Sequence, residues 1–197
     1  MNYNRLDFLR LTILSLVVML SHTGVGWAET YELNTASSEV GFQASSTLHE
    51  FQANSRQIQK AQVQFDFQSL KSGAFEVSVP VASLDTDNRA RNSMMYKMFD
   101  TAKYPQIIWK SQMVKCELFS ADGQAVCHAA GFFNIHGKSV FHEMPVRLKR
   151  QGNDLLAEGN IDFTMEEFSL KPPTVLGFIH VNNPIRVYLK ILWKKIA

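Results

Sequence analysis

Alternation of apolar and polar residues runs through most of this chain and restricts its fold more than any other feature. Successive side chains of a strand point to opposite faces, so a period of two marks a strand with one face in a core and one in water. Val40, Phe42 and Ala44 alternate with Glu39, Gly41 and Gln43. Ala61, Val63, Phe65 and Phe67 alternate with Gln62, Gln64 and Asp66, and Phe75, Val77, Val79 and Val81 with Glu76, Ser78 and Pro80. Near the end, Ile185, Val187, Leu189, Ile191 and Trp193 share a face opposite Arg186, Tyr188, Lys190 and Leu192. Less regular strands are predicted at 107–114, 126–135, 144–150 and 155–163, with turn signals such as Lys71-Ser72-Gly73, Asp122-Gly123 and Gly152-Asn153 between segments.

About eight strands with short antiparallel links suit a sandwich or a closed barrel. Closure removes exposed sheet edges, and an eight-stranded barrel holds one small ligand if its own side chains leave room. The expected class is all-β: an antiparallel barrel with a short helix at one end. In water its apolar stripe points inward, so Val40, Phe42, Val63, Phe65, Val77, Val79, Trp109 and Val187 are expected to line the core or a cavity.

The alternation stops at 84–102. Residues 88–99 have helical character, with Met94, Met95, Met98 and Phe99 forming an apolar patch and Asp85 or Asp87 as the expected cap. Methionine adapts to varied apolar partners. The helix is either a lid over a barrel end or a seal making ordinary core contacts. Asn88 and Arg89, at its start, are candidates for holding a polar head group, or else a surface and capping pair. A second departure covers 168–179, where Pro172 and Pro173 exclude a central strand. This apolar connection is either the rim of an entrance or a loop folded onto the core. Leu170 and Leu176 join the methionines and Phe99 as candidates for the mouth.

The first 28 residues read as a secretory signal: Arg5 and Arg10, then an uncharged apolar run over 11–20, then Gly26-Trp27-Ala28. The run is shorter than the roughly 20 residues that span a bilayer. One domain is expected over 29–197, in the periplasm or secreted. Setting aside Arg5, Asp7 and Arg10 leaves 18 basic against 17 acidic residues, and the basic tail of Lys190, Lys194 and Lys195 is no stripe. No nucleic-acid partner is expected. Cys116 and Cys127 flank a hairpin turn, a placement that favours a disulfide in an oxidising compartment; the alternative is two thiols on opposite faces. His128, His136, His142 and Glu143 form the one enzyme-like cluster, but His142-Glu143 lacks the second histidine of a helical metal motif. No catalytic residue, metal or cofactor is expected.

Four blocks, in order, resemble the YceI-like family. They are Ser46-Thr47-Leu48-His49-Glu50-Phe51; Ser83-Leu84-Asp85-Thr86-Asp87-Asn88-Arg89 continued through Met98-Phe99-Asp100 to Lys103-Tyr104-Pro105-Gln106-Ile107; Gly131-Phe132-Phe133-Asn134-Ile135-His136-Gly137; and Phe168-Ser169-Leu170-Lys171-Pro172-Pro173 with Leu176-Gly177. Two loops depart from the family pattern: Lys138-Ser139-Val140-Phe141 follows Gly137, and Asn182-Asn183-Pro184 stands where an acidic turn is expected. The resemblance implies an extended lipocalin-like barrel enclosing an apolar channel, with an isoprenoid or other long lipid as ligand. The expected function is binding and shuttling of that lipid in the periplasm, with transient contact to a membrane or membrane protein. Two alternatives are an enzyme acting on a lipid through a histidine base and a stress protein acting through its surface. Leu192, Trp193 and Ile196 are read as an exposed patch suited to a homodimer contact.

Overall fold

The alternating segments pair antiparallel and give twelve strands among the described residues. They are β1 (Glu29–Leu33), β2 (Glu39–Ser46), β3 (Glu50–Ser55), β4 (Val63–Asp66), β5 (Lys71–Ser72) and β6 (Phe75–Pro80). After the helix α1 (Arg89–Met98) come β7 (Gln106–Cys116), β8 (Gln124–Ile135), β9 (Lys138–Gln151), β10 (Asp154–Thr164), β11 (Thr174–Val175) and β12 (Ile179–Lys195). The computed structural model describes residues 28–60, 63–67, 69–72, 74–117 and 119–196. Residues 1–27 of the expected leader lie outside them, as do Ala61, Gln62, Gly73 and Leu118.

Neighbouring strands run β1-β4-β5-β7-β8-β9-β10-β12, and β12 pairs back onto β1, so eight strands close a ring. Closure satisfies backbone groups that an open edge would leave unpaired. Two members change partner along their length. β12 pairs with β1 near its end, Trp193 opposite Leu33, and with β2 earlier, Val187 opposite Phe42. β7 pairs with β5 near its end, Val114 opposite Ser72, and with β6 earlier, Ile107 opposite Val79. One end of the ring is therefore walled by β1, β4 and β5, the other by the β2–β3 hairpin and β6. At this second end the wall is joined by backbone bonds between Asn54 and Asp85, both 2.9 Å, and between Gln59 and Ser78, 2.7 and 3.0 Å.

The two ends are filled differently. Along β12 the inward side chains Leu189, Ile191 and Trp193 are buried, whereas Ile179, Val181, Ile185 and Val187 are half-buried. An inward apolar side chain stays accessible when nothing packs on it, so the end near Ile179 is underfilled. At the filled end Phe67 packs against Phe65 and Phe119, ring centroids 4.8 and 5.4 Å apart.

Cys116 lies directly opposite Cys127 and is bonded to it. Opposed residues share a face, and both cysteines are buried, which disposes of the opposite-face alternative. Two glycines shape β8. A Cβ on Gly131 would lie 2.1 Å from the Lys110 carbonyl oxygen, beside the β7 irregularity between Ser111 and Met113. The β8–β9 link is a two-residue turn, His136 and Gly137, with φ of 50° and 75°, as a tight hairpin requires.

Four strands lie outside the sequence pattern: β1, β3, β5 and β11. β1 and β5 belong to the ring, while β2 and β6, read as ring members, wall the underfilled end. Three expectations are corrected. Trp193 is 4% exposed and points inward, so it is no surface contact for a second copy. Asn182-Asn183-Pro184 is not a turn but an irregularity inside β12, where the register with β2 shifts between Val181 and Ile185. Lys138-Ser139-Val140-Phe141, read as a loop, is the start of β9.

Replacing both Cys116 and Cys127 by serine should lower unfolding stability by about 3 kcal/mol, the chain-entropy value for a loop of this size. Urea unfolding of the oxidised protein and the variant measures it; coincident midpoints would show that the bond adds nothing.

Candidate functional site

Helix α1 begins where the alternation ends. The Asn88 side chain accepts the Arg91 backbone N–H at 3.0 Å, so Asn88 is the cap, not the expected Asp85 or Asp87. Asp85 acts as a latch instead. Its carboxylate accepts from Asn92 Nδ2 at 2.7 Å and from the Asp87 backbone N–H at 2.9 Å. These contacts, the Asn92 amide first, hold its carboxyl below the usual range. Thr86 donates its backbone N–H at 2.9 Å and its hydroxyl at 2.6 Å to Asn92 Oδ1, and Tyr96 donates its hydroxyl to the Leu84 carbonyl at 2.7 Å. The helix is thus fastened to the chain leaving β6, with Met94, Met95 and Met98 on a cavity beneath it.

Three apolar cavities follow one another inside the ring. The outer one, about 230 Å³, lies between the α1 methionines, Phe42 and Val181 of the wall, and Met165, Pro173 and Val175 of the loop before β12. The second, about 100 Å³, is bounded by Val77, Val79, Trp109 and Val187, with Phe99 and Leu170. The innermost, about 30 Å³, lies among Val63, Phe65 and Trp193 and is no larger than one water's share of liquid volume. Phe42 borders both the first and the second; Trp109 and Leu189 border both the second and the third. Trp109 stacks on Phe133 with centroids 5.3 Å apart, and Phe163 meets Phe133 edge-on at 4.8 Å. The interior is neither plugged nor a continuous tunnel. It is a channel cut by two aromatic steps.

A YceI-like domain model matches residues 31–192. The chain belongs to the YceI-like family. Among solved structures it is similar to BcnA from Burkholderia cenocepacia, at 16% identity and TM-score 0.68, covering 82% of this chain and 99% of that one. It is similar to a polyisoprenoid binding domain from Saccharophagus degradans implicated in plant cell wall breakdown, at 12% identity and TM-score 0.65, covering 86% and 99%. A third similar structure is the Campylobacter jejuni YCEI protein, at 15% identity and TM-score 0.59, covering 74% and 84%. Comparison with curated proteins found no match.

In this YceI-like chain three of the four family-resembling blocks meet at the outer cavity. Ser46, His49 and Phe51 reach it from the β2–β3 turn, Thr86 and Asn88 from the segment before α1, and Pro173 from the loop before β12. The block around Phe133 and Ile135 lines the second cavity.

The sequence candidates divide as follows. Phe42, Asn88, Met94, Met95 and Met98 line the outer cavity, and Val40, Val77, Val79, Phe99, Trp109, Leu170 and Val187 the second. Val63 and Phe65 sit at the packed end. Arg89 is exposed and lines none of these cavities, and Leu176 is 78% exposed on the rim. The cation facing the outer cavity is Arg91, which sequence reasoning missed. A signal for it existed. Arg91, Met94, Met95 and Met98 follow the i, i+3, i+4, i+7 rule of one helical face, and Arg89 does not.

Residues 168–179 divide between core and surface. Phe168 and Leu170 are buried in the core, while Leu176 and Phe178 are exposed, next to an exposed Leu48. The Thr47 backbone N–H donates to the His180 carbonyl at 2.9 Å and the His180 backbone N–H to Thr47 Oγ1 at 3.0 Å, which brings the β2–β3 turn beside the β11–β12 hairpin. The histidines occupy separate settings. His128 Nδ1 lies 2.7 Å from Glu143 on the exposed face, His142 Nε2 lies 3.0 Å from Glu167, and His136 Nδ1–H donates to the Phe168 carbonyl at 3.3 Å.

Asn92→Ala removes the centre of the latch and strands the Thr86 and Asp85 groups it joins. Amides of α1 should then exchange hydrogen at least about tenfold faster, while β8–β10 keep wild-type protection. Equal acceleration in helix and sheet would show that the helix has no separate latch.

Proposed function

We propose that this chain binds an isoprenoid or similar long apolar molecule in the barrel interior and carries it through the periplasm. The observation that carries the reading is the apolar outer cavity under Met94, Met95 and Met98, which leads past Phe42 into a second apolar void. The likeness to a polyisoprenoid binding domain supports it.

The energetics suit a carrier. Each CH₂ moved from water into an apolar channel gains roughly 0.8 kcal/mol, so a tail of several isoprene units binds tightly with few polar contacts. The outer cavity, about 230 Å³, is smaller than the roughly 300–1,000 Å³ of small-molecule sites. A long tail therefore enters by moving side chains aside, which flexible methionines allow. The reading needs binding without bond chemistry. Leu48, Leu176 and Phe178, 63%, 78% and 62% exposed beside the mouth, support docking on a bilayer while the lipid transfers. The disulfide and the leader-like residues 1–28 support export to an oxidising compartment.

Native mass spectrometry of protein isolated gently from its own cells tests the reading. An apolar adduct of defined mass, lost on delipidation and regained with a prenyl alcohol, is the expected result. Bare protein with no affinity for prenyl alcohols of any length would remove the carrier.

Phe42→Ala joins the two outer cavities. In binding assays with prenyl alcohols of increasing length, the variant's best tail should be longer than that of the wild type. An unchanged length profile would show that Phe42 does not limit tail depth.

A further inference from the structure

One guanidinium lines the largely apolar outer cavity, and the groups it meets carry no negative charge. The half-buried Arg91 donates from Nη2 to the Thr86 carbonyl at 2.8 Å, meets His49 Nε2 with Nη1 at 3.3 Å, and lies 4.7 Å from the Phe51 ring centroid. Its Nε–H is buried and meets no acceptor. Among the described residues Arg91 forms no ion pair, and the cavity lining contains no carboxylate. Asp85, six positions earlier, is engaged by Asn92 and the Asp87 backbone.

The hydrogen-bond roles sharpen this picture. A guanidinium has no acceptor, so His49 Nε2 must accept from it. The other hydroxyls at this end are turned to the protein: Ser46 donates to the His49 carbonyl and Thr86 to Asn92. What remains at the polar end of the cavity is a positive charge without a counter-ion. A charge in apolar surroundings is costly until it is paired, and low-dielectric walls strengthen its pull on an opposite charge.

We propose that Arg91, with His49 behind it, is the head-group site for an anionic amphiphile, a phosphate monoester or a carboxylate whose tail occupies the channel. The proposal rests on the carrier reading and narrows its ligand class. The tail supplies affinity whatever the head, and Arg91 selects between heads, because a guanidinium holds an anionic oxygen more strongly than a neutral one.

Equilibrium dialysis with geranylgeranyl phosphate, geranylgeranoic acid and geranylgeraniol, which share one tail, tests it. Wild-type protein should bind at least one anion about tenfold or more tighter than the alcohol. Whether phosphate, acid or both are favoured names the head. In Arg91→Met the anion-to-alcohol ratio should fall to about one, and Arg91→Lys, which keeps the charge, should recover part of it. Inorganic phosphate should bind far more weakly than geranylgeranyl phosphate, and equal binding would overturn the amphiphile. Equal wild-type affinity for alcohol and anions, or a ratio unchanged in Arg91→Met, overturns the head-group site and leaves the carrier standing. Wild-type protein that binds no tail at all overturns the carrier, and the head-group site with it.

Discussion

The change of partners along β12 is the constraint on which the rest of the structure depends. A strand of 17 residues extends roughly 55 Å, long enough to serve two different walls in turn. At its C-terminal end it meets β1, and the ring closes around Ile191 and Trp193. At its N-terminal end it meets β2, and the inward row from Ile179 to Val187 finds no matching packing. One set of backbone bonds thus supports a packed core and an unfilled cavity in the same sheet. The packed end bears the disulfide and the aromatic cluster of Phe65, Phe67 and Phe119. The open end is held by two pairs of backbone bonds and the Asp85–Thr86–Asn92 latch. Stability is therefore uneven along the ring, and the end with the larger cavity is the one with least to break.

How much of this was legible in the amino acids follows from what each segment buries. β2, β4, β6 and β12 read clearly because bulky apolar side chains recur every second residue. β3 did not, because its inward row shrinks from Phe51 to Ala53 to Ser55, and the buried Ser55 is satisfied by Ser83 at 2.6 Å rather than by apolar neighbours. β1 offers only Tyr31 and Leu33, and β5 and β11 have two residues each, too few for any period. Ring membership was beyond the pattern, since β1 and β5 enter the ring only through pairings remote in the chain. The disulfide was readable, because opposed positions at the ends of one hairpin share a face.

The site was legible as a class of surface and not as a geometry. Inward apolar faces pointed to most cavity walls, and the methionines of α1 to the roof. Whether the helix was lid or seal was a false choice: Met94, Met95 and Met98 roof the outer cavity while Phe99 plugs toward the second. The cavity-facing cation was overlooked for a definite reason. Arg89 was taken for its position at the helix start, whereas a side chain's direction depends on its angle around the axis, which places Arg91 with the methionines.

Segmentation of the channel connects these features to selectivity. In the empty protein the interior is partly occupied by its own side chains, so an incoming tail gains burial only where it displaces them at lower cost. Rotating a methionine costs little, since its thioether chain has several accessible rotamers. Moving Phe42 costs more, because it is buried between two cavities, and shifting Trp109 costs more again, because it gives up its stack on Phe133. Tail depth should then advance in steps, first under the methionines, then past Phe42, and stop at the Trp109–Phe133 pair, beyond which about 30 Å³ remains to be gained. Under the proposed head-group site, a head held at Arg91 would make those steps a ruler, because depth would be measured from a charge that does not move with the tail.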